Sequence, residues 1–323
     1  MRTQALEKDT RLLISLAERV SSCDPLLASS EAIQSRQGAP MEIDWQMIGA
    51  RCAFLIEALM ILFSAKVARD FLLLRRGYRV DQQLVEHDNV AASVDLAGFM
   101  LACVLALLDS FVIEGESLVR QASSIAMTGL IVLGLLAFNG WITDRALLRG
   151  IDDQRAVNED KNVAVALVRA GAVIGAALST RAAFGHPNPW EICVAWALIG
   201  QVGIIIMAYV YQWISPYDDL KEVSEGNVAA AFPLFGVLIA VGLTVEAAIY
   251  GESVEWLSEL IAVGLYLFVG GVLLWVARAL FSKLFLPTGD LDAEITRDRN
   301  LGVGLLEASI YVALAQVVNY FFT

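Results

Sequence analysis

Apolar residues in this chain come in long, nearly unbroken stretches rather than in strict alternation. Eight mostly apolar runs occupy roughly 47–74, 88–113, 117–143, 160–185, 189–214, 226–250, 254–281 and 298–322. Runs of this length match helices that cross hydrocarbon, and several exceed the ~20 residues needed, which predicts tilt or extension beyond the bilayer. Strands of a membrane barrel would alternate apolar and polar residues, and these runs do not. The pattern predicts an all-α integral membrane protein with eight transmembrane helices.

The even-numbered runs begin alike. Asp88-Asn89-Val90-Ala91, Lys161-Asn162-Val163-Ala164, Gly226-Asn227-Val228-Ala229 and Arg299-Asn300-Leu301-Gly302 each place an Asn before a branched apolar residue and small residues. The four Asn are spaced 73, 65 and 73 residues apart, so Asn89 to Asn227 and Asn162 to Asn300 both span 138. This spacing predicts four tandem two-helix repeats, arranged as two fused four-span halves with pseudo-two-fold symmetry. The domain reading is a polar tail over 1–46, a first four-span unit over 47–185 and a second over 186–323. Residues 12–20 of the tail can form a short amphipathic helix on the membrane surface or a docking helix for a partner.

Aligned on the Asn, the even runs carry small residues two, nine and thirteen positions on: Ala91, Gly98, Ala102; Ala164, Gly171, Gly175; Ala229, Gly236, Ala240; Gly302, Ser309, Ala313. On a helix these share one face. Small stripes let membrane helices pack closely, which makes the even helices the inner elements. Each Asn is expected to cap its helix by accepting from free N–H groups. The rival expectation is a ring of four amides around a shared cytoplasmic vestibule.

Charge sets the orientation. Fourteen Lys and Arg lie in or beside the loops after odd-numbered runs, against only Arg120 and Arg181 after even-numbered ones. The positive-inside rule then makes the odd-to-even loops cytoplasmic and places both termini outside. Trp45, Trp190 and Trp256 at span entries and Trp141 and Trp213 at span exits fit interfacial positions. The cytoplasmic loops are acidic: Asp81, Asp219 and Asp292 lie eight residues before their Asn and Asp153 nine before. Carboxylates there suit the positive ends of helices, with a cation or polyamine site as the functional alternative. The formal net charge of −12 argues against nucleic acid as a partner. Cys23, Cys52, Cys103 and Cys193 are scattered, with no CxxC or His/Cys cluster, so neither disulfide nor metal role is expected.

A few polar groups inside the runs are candidates for function: Glu57, Asp95, Arg169, Glu246 and Glu307. Charged groups in a span are costly and are paired or face water. Arg169 and Glu307 both lie seven positions after their Asn and 138 apart, opposite in charge. They are expected to meet across the pseudo-two-fold axis. Glu57 and Asp95 are candidates for a proton or cation path.

The paired spans, the acidic loop leading into Asn-Val-Ala and the Gly-containing second span resemble the DUF350 family, a domain of unknown function. Asp298-Arg299-Asn300-Leu301-Gly302 and Glu159-Asp160-Lys161-Asn162-Val163-Ala164 carry the resemblance best; the third copy departs at Gly226 and Pro233. The resemblance covers about 47–322 and implies a bacterial inner-membrane protein, multi-pass, with no established activity or cofactor. It also implies neighbourhood links to envelope-stress, phage-shock-type and peptide-ligase-like proteins.

Two functions compete. One is a non-enzymatic membrane scaffold that docks cytoplasmic envelope-stress proteins on acidic loops, with homo-oligomer formation through the small stripes. The other is a transporter or channel for protons, cations or a small polar solute. Enzymatic motifs such as HExxH, GxSxG or a P-loop are absent from the sequence, and it holds two His. No catalytic, cofactor or metal residue is expected.

Overall fold

The computed structural model describes residues 45–111, 118–186, 188–249, 255–287 and 289–322. The tail helix expected over 12–20, together with Cys23, lies outside the described residues. Two compact units divide at Ala50. Only the opening turns of helix α1 are described in the first, and every later element belongs to the second.

Short helices or π-turns separate successive pairs of longer helices. The elements are α1 (Trp45–Leu74), a π-turn (Gln82–Glu86), α2 (Val90–Leu105), α3 (Leu118–Ile142), continued by a π-turn (Thr143–Leu147), α4 (Asp153–Asn158) and α5 (Val163–Phe184). Then come α6 (Trp190–Ile214), α7 (Asp219–Ser224), α8 (Val228–Ile249), α9 (Trp256–Phe285), α10 (Leu291–Thr296) and α11 (Leu301–Phe322). Among the described residues six helical stretches are long and apolar enough to cross a membrane: Ala122–Leu147, α5, α6, α8, α9 and Leu301–Phe321. Helix α2 is apolar but shorter. The run predicted over 88–113 stops being α-helical at Leu105, where the Leu107 N–H turns back to Val104 and a 3₁₀ turn (Leu108–Phe111) begins. Asp109 in that turn pairs with Arg181 of α5, 3.1 Å away.

The helices that begin just after an Asn form a row in chain order, α2–α5–α8–α11, through the most extensive helix contacts in the molecule. Small residues make this possible. A β-carbon on Gly236 would lie 2.6 Å from Ala308 Cα, and one on Gly242 would lie 2.5 Å from the Gly175 carbonyl oxygen. Gly98 stands in the same way against Ala170, and Gly171 against Phe235. With lipid as apolar as the helices themselves, such backbone approach supplies the packing that hydrophobicity cannot. Inner and outer helices differ accordingly: 89% of the α5 span is buried against 17% of α9. Leu257, Leu260, Ile261 and Phe268 of α9, with Leu59, Met60 and Phe63 of α1, face outward.

Pro233 lies inside α8 without ending it. Its missing N–H leaves the Ala229 carbonyl without its usual helical donor, and Gly304 of α11 packs directly on that oxygen. Pro233 thus marks a place where a neighbouring helix seats. Trp190 and Trp256 open α6 and α9, and Trp141 and Trp213 stand exposed near the ends of α3 and α6. Cys103 and Cys193 are buried free thiols and Cys52 is exposed.

Candidate functional site

Each Asn heads its helix as expected. Asn89 Oδ1 accepts from Ala92 N at 3.1 Å, Asn162 from Val165 N at 3.1 Å, Asn227 from Ala229 N at 3.0 Å and Asn300 from Gly302 N at 3.1 Å. The other half of the amide does something the sequence does not announce. Asn89 Nδ2 donates to the Val157 carbonyl of α4 at 2.9 Å, Asn162 Nδ2 to Val223 of α7 at 2.9 Å and Asn227 Nδ2 to Ile295 of α10 at 2.9 Å. One side chain thus satisfies a free N–H at the start of its own helix and a free C=O at the end of the next short helix. Three of the four amides are staples between neighbouring segments, Asn300 Nδ2 bonding instead to Glu294 of its own segment, and the vestibule ring is not formed.

The residue before each Asn turns the chain through left-handed backbone: φ is 46° at Asp88, 52° at Lys161, 78° at Gly226 and 48° at Arg299. Only glycine adopts this region without steric cost. Gly226 is therefore the residue that suits the turn best, not a departure from it.

The short helices carry two kinds of acid. Asp152 and Asp218 cap α4 and α7 by accepting from Arg155 N and Lys221 N. The next residues, Asp153 and Asp219, point inward and are buried. The helix-end role expected of Asp153, Asp219 and Asp292 is filled instead by their neighbours Asp152, Asp218 and Asp290. The second kind belongs to two charge clusters at the short-helix end of the bundle.

The first cluster centres on Arg169 of α5. Its Nε donates to Asp95 Oδ1 of α2 at 2.8 Å, and its Nη1 reaches Asp144 and Asp153. Arg69 of α1 also pairs with Asp95 and lies over the Phe99 ring. Gln154 Nε2 donates to Asp153 at 2.7 Å. Three carboxylates and two guanidinium groups meet here, beside a cleft of about 170 Å³ lined by Arg69, Arg76, Asp95, Asp144, Gln154 and Arg169, among others. That volume holds several waters.

The second cluster centres on Arg278 of α9. It pairs with Glu307 of α11 at 2.5 Å and with Asp292 of α10 at 2.6 Å. Tyr311 donates to Glu307 at 2.5 Å, and Tyr211 of α6 meets the Tyr311 ring edge-on. Asp219 lies in the same neighbourhood and is 2% exposed. Burial pushes its carboxyl up to about 7, with Ser215 and Arg278 pulling the other way. Burial likewise pushes the Tyr217 hydroxyl above its usual range.

The expected meeting of Arg169 and Glu307 does not occur. Equal offset from an Asn makes two positions equivalent, not adjacent, and α8 stands between α5 and α11 in the row. Each charge finds its partner locally. Glu246 pairs with Arg181 at 2.8 Å, near the opposite end of the bundle. Glu57 lies half-exposed on α1. The five candidates therefore fall in separate places: Asp95 with Arg169, Glu307 with Arg278, Glu246 with Arg181, and Glu57 on the outer helix. Asn139 and Gln201 join α3 to α6 through a buried hydrogen bond. Among the described residues no group of three His, Cys, Asp or Glu is placed to hold a metal ion.

Sequence reasoning misses Arg69, Asp144 and Arg278 as partners. Arg69 and Arg278 count among the loop cations by position, yet both lie within helices that continue the apolar runs.

Proteins described as Domain of Unknown Function (DUF350) match this chain twice in tandem, over residues 43–184 and 188–322. A UPF0719 transmembrane protein of Aquifex aeolicus (strain VF5) is 22% identical over 268 residues, covering 81% of this chain and 96% of that protein. No solved structure matches. Helices of membrane-crossing length and a relative named as a transmembrane protein identify an integral membrane protein, and by its two tandem matches the chain belongs to the DUF350 family.

Proposed function

We propose that this chain is a non-enzymatic scaffold of the bacterial inner membrane, with eight spans in four tandem helix pairs and both termini outside. The loops bearing α4, α7 and α10 then face the cytoplasm and form the surface on which envelope-maintenance proteins dock. The observation that carries this reading is how the inner charges are used. Arg169 and Arg278 are locked among carboxylates at one end of the bundle, and Arg181, Glu246 and Asp109 are tied together at the other. Between them α5 and α8 touch backbone to backbone at Gly175 and Gly242. Such an arrangement fixes helices in place.

A transporter for protons, cations or a small polar solute is the second reading, favoured by the cleft beside Arg69, Asp95, Asp144 and Arg169. Reconstitution into liposomes separates the two. The scaffold reading expects proton and potassium flux no greater than in protein-free vesicles. Flux that depends on Asp95, abolished in Asp95→Asn, would replace it with the second reading.

A further inference from the structure

The row α2–α5–α8–α11 has two unlike edges, and each is the complement of the other. Where one helix of the row meets the next, the contact is built the same way three times. The residue nine positions after the Asn of the leading helix (Gly98, Gly171, Gly236) packs on the residue eight positions after the Asn of the following one (Ala170, Phe235, Ala308). The leading Asn then donates to the short helix of the following segment, at Val157, Val223 and Ile295. A cation just before the following Asn returns the contact twice: Lys161 donates to the His87 carbonyl at 2.6 Å, and Arg299 lies 3.9 Å from Glu225.

Helix α11 has the leading surface and, among the described residues, nothing beyond it. Gly302, Ser309 and Ala313 are exposed, whereas the matching residues of α2, α5 and α8 are all buried. Asn300 is exposed too, and its Nδ2 turns back to Glu294 of its own segment at 2.9 Å. Helix α2 has the following surface and, among the described residues, nothing leading it. Ser93 and Ala97 are exposed, whereas their counterparts Ala166 and Ala170 on α5, and Gly304 and Ala308 on α11, are buried. The carbonyls of Leu84 and Val85 stand, relative to Asn89, where those of Val157 and Asn158 stand relative to Asn162. The molecule thus carries both halves of an interface that it already makes three times internally.

We propose that α11 of one chain packs against α2 of a second copy, continuing the row head to tail between chains. Ser309 then sits on the partner's Ala97, and Asn300 reaches the partner's carbonyls at 84 and 85. The contact joins two different surfaces, so it builds a ring when its rotation closes and a filament when it does not. One acidic meeting arises at the junction, Asp298 with the partner's Asp88. Arg297 already holds Asp298 through two hydrogen bonds of 2.8 Å, which offsets it.

The test uses full-length chains in membranes, with the four native cysteines replaced by alanine. Under mild oxidation, co-expressed Ala97→Cys and Ser309→Cys chains should form a reducible band at twice the 35.1 kDa chain mass. Neither variant alone should form it. A band from either variant alone would show like edges meeting and overturn the proposal. So would a mixture that gives no band although both thiols react with a maleimide. Native mass measurement in lipid nanodiscs provides a second reading: multiples of 35.1 kDa are expected for the parent chain, and a population that is only monomeric overturns the proposal. Ser309→Trp should reduce that population to single chains without lowering the melting temperature of the isolated monomer. Retained oligomers in that variant would place the contact elsewhere.

Discussion

Replacing Arg169 by methionine perturbs the first charge cluster at its centre. The substitution keeps an unbranched side chain of good helix propensity and removes the cation from among Asp95, Asp144 and Asp153. Arg69 still pairs with Asp95, so the loss falls on Asp144 and Asp153. Arg169 is 6% exposed, and removing one partner from a buried ion pair costs about 3–5 kcal/mol. Against a total stability of ~5–15 kcal/mol that is a large fraction. At roughly 2–4 °C per kcal/mol, the midpoint should fall by about 6–20 °C. The measurement is the monodisperse fraction in detergent after graded heating. Adding Asp144→Asn and Asp153→Asn should recover part of the loss, because neutral amides need no counter-charge. The exchange Arg169→Glu with Glu307→Arg should recover none, since it gathers a fourth acid around Asp95 and sets a second cation beside Arg278. A melting curve for Arg169→Met within about 1 °C of the parent, or a rescue by the exchange, would refute this account.

Asn162→Ala should cost about 2 kcal/mol, combining a lost cap and a lost hydrogen bond to α7. Asn300→Ala should cost the isolated monomer about half as much, because Asn300 bonds only within its own segment; thermal melts of the two variants check the ratio. Gly226→Ala should destabilise by about 1 kcal/mol through its left-handed backbone, measured the same way. Asp219 sets a pH dependence. Its folded value of about 7 exceeds the ordinary 3.8, so its neutral form is the one favoured by folding. Its contribution is full below about 3.8 and is lost as pH rises through 7. The parent chain should therefore melt lower at high pH, with a slope that Asp219→Asn flattens; an unchanged slope in that variant would exclude Asp219 as its source.

What the sequence discloses, and what it withholds, divides along the range of the interaction. Capping by Asn89, Asn162, Asn227 and Asn300 is local, so position alone predicts it. The buried face of Gly98, Gly171 and Gly236 comes from helical periodicity. The partners of Arg169 do not, because Asp95, Asp144 and Asp153 come from three other elements whose approach depends on how α2, α3 and α4 dock. The pairing of Arg278 with Glu307 likewise depends on where α9 crosses α11. Equal distance from Asn162 and Asn300 makes Arg169 and Glu307 look like counterparts in the sequence, and only the order of helices in the row shows that α8 separates them. The left-handed turn before each Asn is hidden for another reason. Asp88, Lys161 and Arg299 adopt it against their intrinsic preference, so three of the four positions carry no glycine to signal it.

Pro233 and Gly304 lie 71 positions apart and yet act as one choice. The proline releases the Ala229 oxygen from its own helix, and the glycine lets a neighbouring backbone close over it. A residue with an N–H at 233 would draw that oxygen back into α8, and a side chain at 304 would be driven against it. Either change alone therefore leaves the other position badly suited to its surroundings. Among relatives of this chain the two sites should be replaced together.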